Sequence, residues 1–145
     1  MRHSRKARKS TRSSLQARRG QISWEVDETV RKRVLHLTSK LEIFWLDTKR
    51  LHVFRSYGSK SRAIARIWGL PRVWQMALGA ESAYIVEVIS EKFDKLSTED
   101  QDKVLLHELA HIPRNFSGAL VPNTRKKKGS FHDKLEILIG KYHKL

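Results

Sequence analysis

The sequence predicts an α+β domain from three observations: an amphipathic stretch after residue 26, short β-rich segments in the middle, and two capped helical segments towards the end. Val30, Val34, Leu37, Leu41 and Phe44 recur at steps of three and four, the spacing of one apolar stripe on a helix from Asp27 to about Phe44. Asp27 stands where a cap or first-turn acid belongs. Residues 51–56 (LHVFRS) alternate and run into Tyr57-Gly58-Ser59-Lys60, so a strand and then a turn are expected. A second strand is expected over Ala63–Trp68, closed by Gly69-Leu70-Pro71, and a third over Ala83–Ile89. Between them, PRVWQMALG (71–79) fits a short helix or an irregular segment packing Trp74 and Met76. Ser97, with Asp100 three residues on, forms a capping box for a helix that Pro113 stops near Ile112. A loop of about 16 residues follows, holding Gly118, Pro122, Gly129 and the run Arg125-Lys126-Lys127-Lys128. Ser130 with Asp133 can cap a last helix ending at Leu145. The expected architecture is a small three-stranded sheet with an N-terminal helix, a central helix after the sheet and a C-terminal helix.

The chain has 145 residues, 30 Lys and Arg against 15 Asp and Glu, and a formal charge of +15. Residues 1–20 contain eight Lys or Arg and no acid, which leaves 22 basic against 15 acidic residues in the remainder. Residues 1–22 therefore read as a basic disordered arm, and 23–145 as one folded domain that is basic in its own right. Such a surface favours polyanions, so non-specific nucleic-acid contact through the arm and the Arg125–Lys128 loop is expected. With no cysteine, disulfides and Cys-ligated zinc fingers are excluded, and any metal site must use His, Asp and Glu. Glu87 and Glu91 interrupt the best apolar stretch, so no membrane span is expected. The segment Ile22–Val26 is too short for a signal peptide, and a cytoplasmic location is the expectation. Of the four Trp, Trp45 and Trp68 fall in apolar periodic segments, so core packing is expected rather than base stacking.

Within Val104–His111 lies the pattern H-E-x-x-H. On a helix, His107 and His111 share one face with Cβ atoms about 5–6 Å apart, so both imidazoles can hold one Zn2+. Glu108 projects beside that face, where a carboxylate suits a general base towards metal-activated water. A catalytic zinc takes three protein ligands and keeps one position open. His132, 21 residues after His111 at the start of the last helix, is the expected third ligand, with Glu136 one turn further as the reserve. His36, His52 and His143 lack such partners and read as ordinary histidines. Arg114 and Ser117 stand where the metzincin pattern requires Gly and His, which excludes that subclass. Gly118 can permit a positive-φ turn near the metal.

These residues resemble a zincin-type metallopeptidase, and more narrowly the small metallopeptidases of phages and archaea. The likeness rests on FRSYGSKSRAIARIWGLPRVWQ (54–75), AYIVEVISEKFDKLS (83–97), LLHELAHIPRNFSGAL (105–120) and FHDK (131–134). It covers roughly residues 24–140. H-E-x-x-H followed by a later His beside Phe is also similar to SprT-like proteases, which cut proteins crosslinked to DNA. In that group the third histidine lies in a His-Gly-x-x-Phe setting, whereas here Phe131 precedes His132 and Asp133 follows. The resemblance implies a minimal zincin core with a protein or peptide substrate. An extended peptide would add to the sheet's edge strand, expected to be Ala83–Ile89. It also implies a donor for the developing oxyanion, for which Tyr142, Arg114 and Asn115 are all candidates. The rival from another class is a nucleic-acid-associated binding protein whose structural zinc is closed by Asp133 or Glu136.

Overall fold

The computed structural model describes residues 21–123 and 131–145. The basic arm, the Arg125–Lys128 run and the Ser130 cap therefore lie outside the described residues. The elements run β1 (Ser23–Val26), α1 (Glu28–Lys40), a 3-10 turn (Thr48–Arg50), β2 (Leu51–Tyr57), β3 (Ala65–Gly69), α2 (Arg72–Leu78), β4 (Tyr84–Ile89), α3 (Ser90–Phe93), α4 (Thr98–Ala110) and α5 (Phe131–His143). The fold is α+β with a mixed sheet in the order β1-β2-β4-β3. β4 runs parallel to β2 and antiparallel to β3, and β1 is antiparallel to β2.

Two strand expectations need correction. The sheet has a fourth strand, β1, whose Ile-Ser-Trp-Glu-Val alternation is visible in sequence but too short to stand without its β2 partner. Ala83–Ile89 does not form an edge: β4 lies between β2 and β3 and is hydrogen-bonded on both sides. Its near-continuous apolar run, YIVEVI, is the composition of a strand covered on both flanks, and five of its six residues are buried.

Local chemistry explains the helix boundaries. Asp27 caps α1 by accepting the Val30 N–H at 2.9 Å, and Val30, Val34 and Leu37 face the core. The helix ends at Lys40, earlier than its apolar spacing suggests, because Glu42 adopts φ 56° and turns the chain back. Ile43 N–H then bonds Thr38 O at 2.9 Å, so Ile43 and Leu46 enter the core while Phe44 points to solvent. Ser97 caps α4 by accepting the Asp100 N–H at 3.2 Å. The segment left open between helix and loop is helical: α2 closes at Gly79, which is left-handed.

Leu51 and Val53 of β2, Tyr84, Val86 and Val88 of β4, and Ala65 of β3 point to one face of the sheet. There they meet Val30, Val34 and Leu37 of α1, Phe93 of α3, Leu105, Leu106 and Leu109 of α4, and Phe131 and Leu138 of α5 in one core. Each fully buried Leu or Phe contributes roughly 1.5–3 kcal/mol. The other face carries no helix among the described residues. This corrects the expectation for the tryptophans: only Trp45 packs on the core, whereas Trp24 and Trp68 sit half-exposed on the uncovered face and Trp74 points out from α2. Among the described residues, no helix is long and apolar enough to cross a membrane.

Candidate active site

Leu105, Leu106, Leu109 and Ala110 are fully buried and hold α4 against the sheet. That anchoring sets the other side chains of H-E-x-x-H at the rim of the core. His107 and His111 come together with ring centroids 5.3 Å apart, edge to face. Glu108, between them in sequence, is only 8% exposed. Burial pushes its carboxyl up to about 7, because a desolvated carboxylate is costly without a cation beside it. His107 is shifted the other way, held below its ordinary value first by burial and then by the neighbouring His111 and His132.

His111 is the C-cap of α4, and the loop that follows fixes its ring. Its Nδ1 lies 2.7 Å from Val121 O, while Val121 N–H donates back to His111 O at 2.7 Å. With Nδ1 as the donor, Nε2 keeps its lone pair, the arrangement of a histidine prepared to ligate a metal. The loop is tied to the sheet. Tyr84, fully buried in β4, accepts the Gly118 N–H and donates to Ala119 O, both at 2.7 Å. Gln75 of α2 donates its Nε2 to Leu70 O at 2.8 Å and to Ser117 O at 2.9 Å. Gly118 adopts φ +96°, the expected positive-φ turn, and a Cβ there would stand 2.2 Å from Leu70 O.

The start of α5 closes the site from the other side. Phe131 is fully buried, stacks on His111 with centroids 4.1 Å apart, and meets the His107 ring edge-on at 4.8 Å. Lys134 donates to Ile112 O and lies 4.0 Å over the Trp45 ring. Burial, with Arg114 adding to it, lowers the Lys134 pKa to about 8. His132 is half-buried beside Phe131, with centroids 5.5 Å apart, and Glu136 is exposed. The structure thus brings His107 and His111 into one pair with His132 at their margin. Among the described residues, no three His, Asp or Glu side chains are gathered as a metal cluster. The imidazoles of His107 and His111 fit a metal ion in chemistry, and that of His111 fits it in tautomer as well.

A cleft of about 510 Å³ opens beside this pair, lined by Arg62–Ala65, Lys103, Val104, His107, Glu108, Leu135 and Ile139. One wall is the start of β3, which is bonded to β4 along one side and has no strand partner on the other among the described residues. The general-base candidate and a free strand edge therefore face the same space.

The remaining predicted residues fall elsewhere. Tyr142 donates its hydroxyl to Asp102 at 2.8 Å; burial and that bond push its pKa up to about 12. Asn115 lines a separate groove between the 115–120 loop and the start of α2, and Arg114 is exposed. His36, His52 and His143 are exposed. Sequence reasoning missed Tyr84, Gln75 and Phe131. The adjacency of Phe131 to His132 was a signal for the last, but a buried Tyr or Gln that braces a loop has no local signature.

A small mixed sheet backed by helices, with the H-E-x-x-H helix packed beside β3, makes the chain an α+β domain. The chain belongs to the family described as putative phage metallopeptidase, whose model matches residues 22–136. The family description names a metal-dependent hydrolase acting on protein or peptide. No curated protein and no solved structure matches the chain.

Proposed function

We propose that the chain is a zinc-dependent endopeptidase in which His107, His111 and His132 hold the metal and Glu108 is the general base. The observation that carries this reading is the shared cleft: His107, Glu108 and the start of the free β3 edge line one cavity. Bound there, zinc would supply Lewis acidity towards a water molecule and a peptide carbonyl. An extended substrate adds along β3 by main-chain hydrogen bonds, which places its scissile bond over Glu108. Glu108 takes a proton from the attacking water and returns it to the leaving amine. The dry surroundings that raise its pKa hold a carboxyl able to do both near neutral pH. Val121 O keeps the His111 tautomer, and Phe131 keeps water from the back of both imidazoles. The apolar walls Val104, Leu135 and Ile139 favour an apolar substrate side chain. Contact with nucleic acid through the basic residues is part of this proposal, since it would bring the enzyme to protein bound on a polyanion.

The test uses the full chain purified without chelator. Glu108→Gln is expected to lose about 10²–10⁴-fold in hydrolysis while retaining zinc, and His111→Ala to lose both. Undiminished activity in Glu108→Gln would sink the mechanism. A zinc site closed by four protein groups, with no cleavage by wild type, would establish the rival structural role.

A further inference from the structure

On the uncovered face of the sheet, opposite the helices and away from the metal-site candidate, lies a cavity of about 340 Å³ lined by Trp24, Phe54, Trp68, Ile85 and Glu87. Glu87 is its unusual member. It stands at the centre of the interior strand β4, between Phe54 of β2 and Arg66 of β3, and is only 1% exposed. Its Oε1 accepts the Trp68 Nε1–H at 2.9 Å. Its Oε2 is buried with no partner among the described residues. Arg66, directly opposite, is the natural counter-ion, yet it spends its Nη2 on Ser59 Oγ at 3.0 Å, and its Nε is itself buried without a partner among the described residues. A buried, half-satisfied carboxyl costs stability unless a donor completes it. Around it, Trp24 and Trp68 leave about half of their surface open, 54% and 48%. Half-exposed indoles attract a guanidinium or an ammonium through the ring quadrupole, and the acidic side chain beneath them adds to that attraction.

We propose that this is a binding site for a cationic side chain, and that the occupant is an arginine of the chain's own residues 1–20. Those residues hold eight Lys or Arg and no acid, and they enter the sheet through β1, the strand that carries Trp24. Gln21, where the described residues begin, lies beside Gly58, four positions from Phe54 and two strands across from Glu87, roughly 16 Å at ordinary strand spacings. Arg12 lies nine residues before Gln21, so a chain of about 3.3 Å per residue spans that distance with length left to turn back over the sheet. A cationic ligand from solution would have to approach a body that is itself basic, whereas a tethered arginine gains effective concentration. The same cations cannot pair with Glu87 and with phosphates at once, so polyanions compete with this docking.

The experiment compares the indole N–H signals of full-length wild type with those of a full-length variant in which all eight cations of residues 1–20 are Gln. The expected result is a shift of the Trp24 and Trp68 signals with Trp45 and Trp74 unmoved. In Glu87→Gln, neutralising the arm should add no further shift, with Trp45 reporting that the core is intact. Superimposable Trp24 and Trp68 signals in wild type and the arm-neutralised chain overturn the proposal. It is also overturned if Arg66→Gln, but not arm neutralisation, moves Trp68, for then Arg66 is the counter-ion. Concentration-dependent signals that persist without the arm's charge assign the face to a second copy and overturn it as well.

Discussion

The two sides of the candidate metal site are built differently. The His111 side is braced twice over: its ring is fixed through Val121, and the loop behind it is tied to Tyr84 of β4 and Gln75 of α2. The His132 side depends on the first turn of α5, held by Phe131 packing and by one Lys134 bond to the end of α4. The H-E-x-x-H pair is thus prepared by the main fold, while the third position depends on how α5 docks. In such a site, damage to the braced loop should cost stability and metal together, and loss of the half-buried His132 side chain should show mainly in the metal.

The largest expected effect is on packing common to both sides. Phe131→Ala removes a fully buried ring from against His107 and His111 and should cost about 3–5 kcal/mol in chemical denaturation, with weaker zinc binding in the folded fraction. Next, Gly118→Ala forces an L residue to φ +96° with its Cβ on Leu70 O. A loss of about 1–3 kcal/mol is expected, and the displaced Val121 carbonyl should lower zinc affinity about 10–100-fold. Wild-type zinc affinity in Gly118→Ala would show that the loop does not set His111. On the other side, His132→Ala should weaken zinc binding with little change in the unfolding midpoint, and Glu136→Ala should leave zinc binding unchanged. The reverse order in a zinc titration would make Glu136 the third ligand.

The smallest effect lies away from the site. Arg55 bonds Asp27 at 2.8 Å and both Asp94 carboxylate oxygens at 2.6 and 2.7 Å. The Arg55 hydrogen bond holds the Asp94 carboxyl below its ordinary value of 3.8. A carboxyl so depressed contributes stability that is fully present above the unfolded value and is lost as pH falls through the folded one. Urea midpoints of wild type and Arg55→Gln should therefore differ at pH 7 and converge as the pH falls below the ordinary carboxyl value of 3.8. Asp94 is half-exposed, so the difference is small, and a gap that does not narrow with acid would refute the linkage.

Much of this molecule was legible locally. The Asp27 and Ser97 caps, the spacing Val30–Val34–Leu37, and His107 with His111 one turn apart depend on residues within a few positions of each other, so the sequence carries them whole. Local signals misled where a distant partner decides. Phe44 continues the apolar spacing of α1, but Glu42 turns the chain and leaves it in solvent. Trp68 sits in an apolar run, yet the face it occupies has no covering helix among the described residues.

By itself, then, the sequence determined the α+β class, the capped helices and the pairing of two histidines one turn apart with Glu108 between them, because helix periodicity and capping are short-range. Only the tertiary structure decided that β4 is interior, that β3 offers the free edge beside Glu108, and that Val121, Tyr84 and Phe131 set the imidazoles. Strand order and loop bracing join residues tens of positions apart, and no local pattern encodes which of them meet.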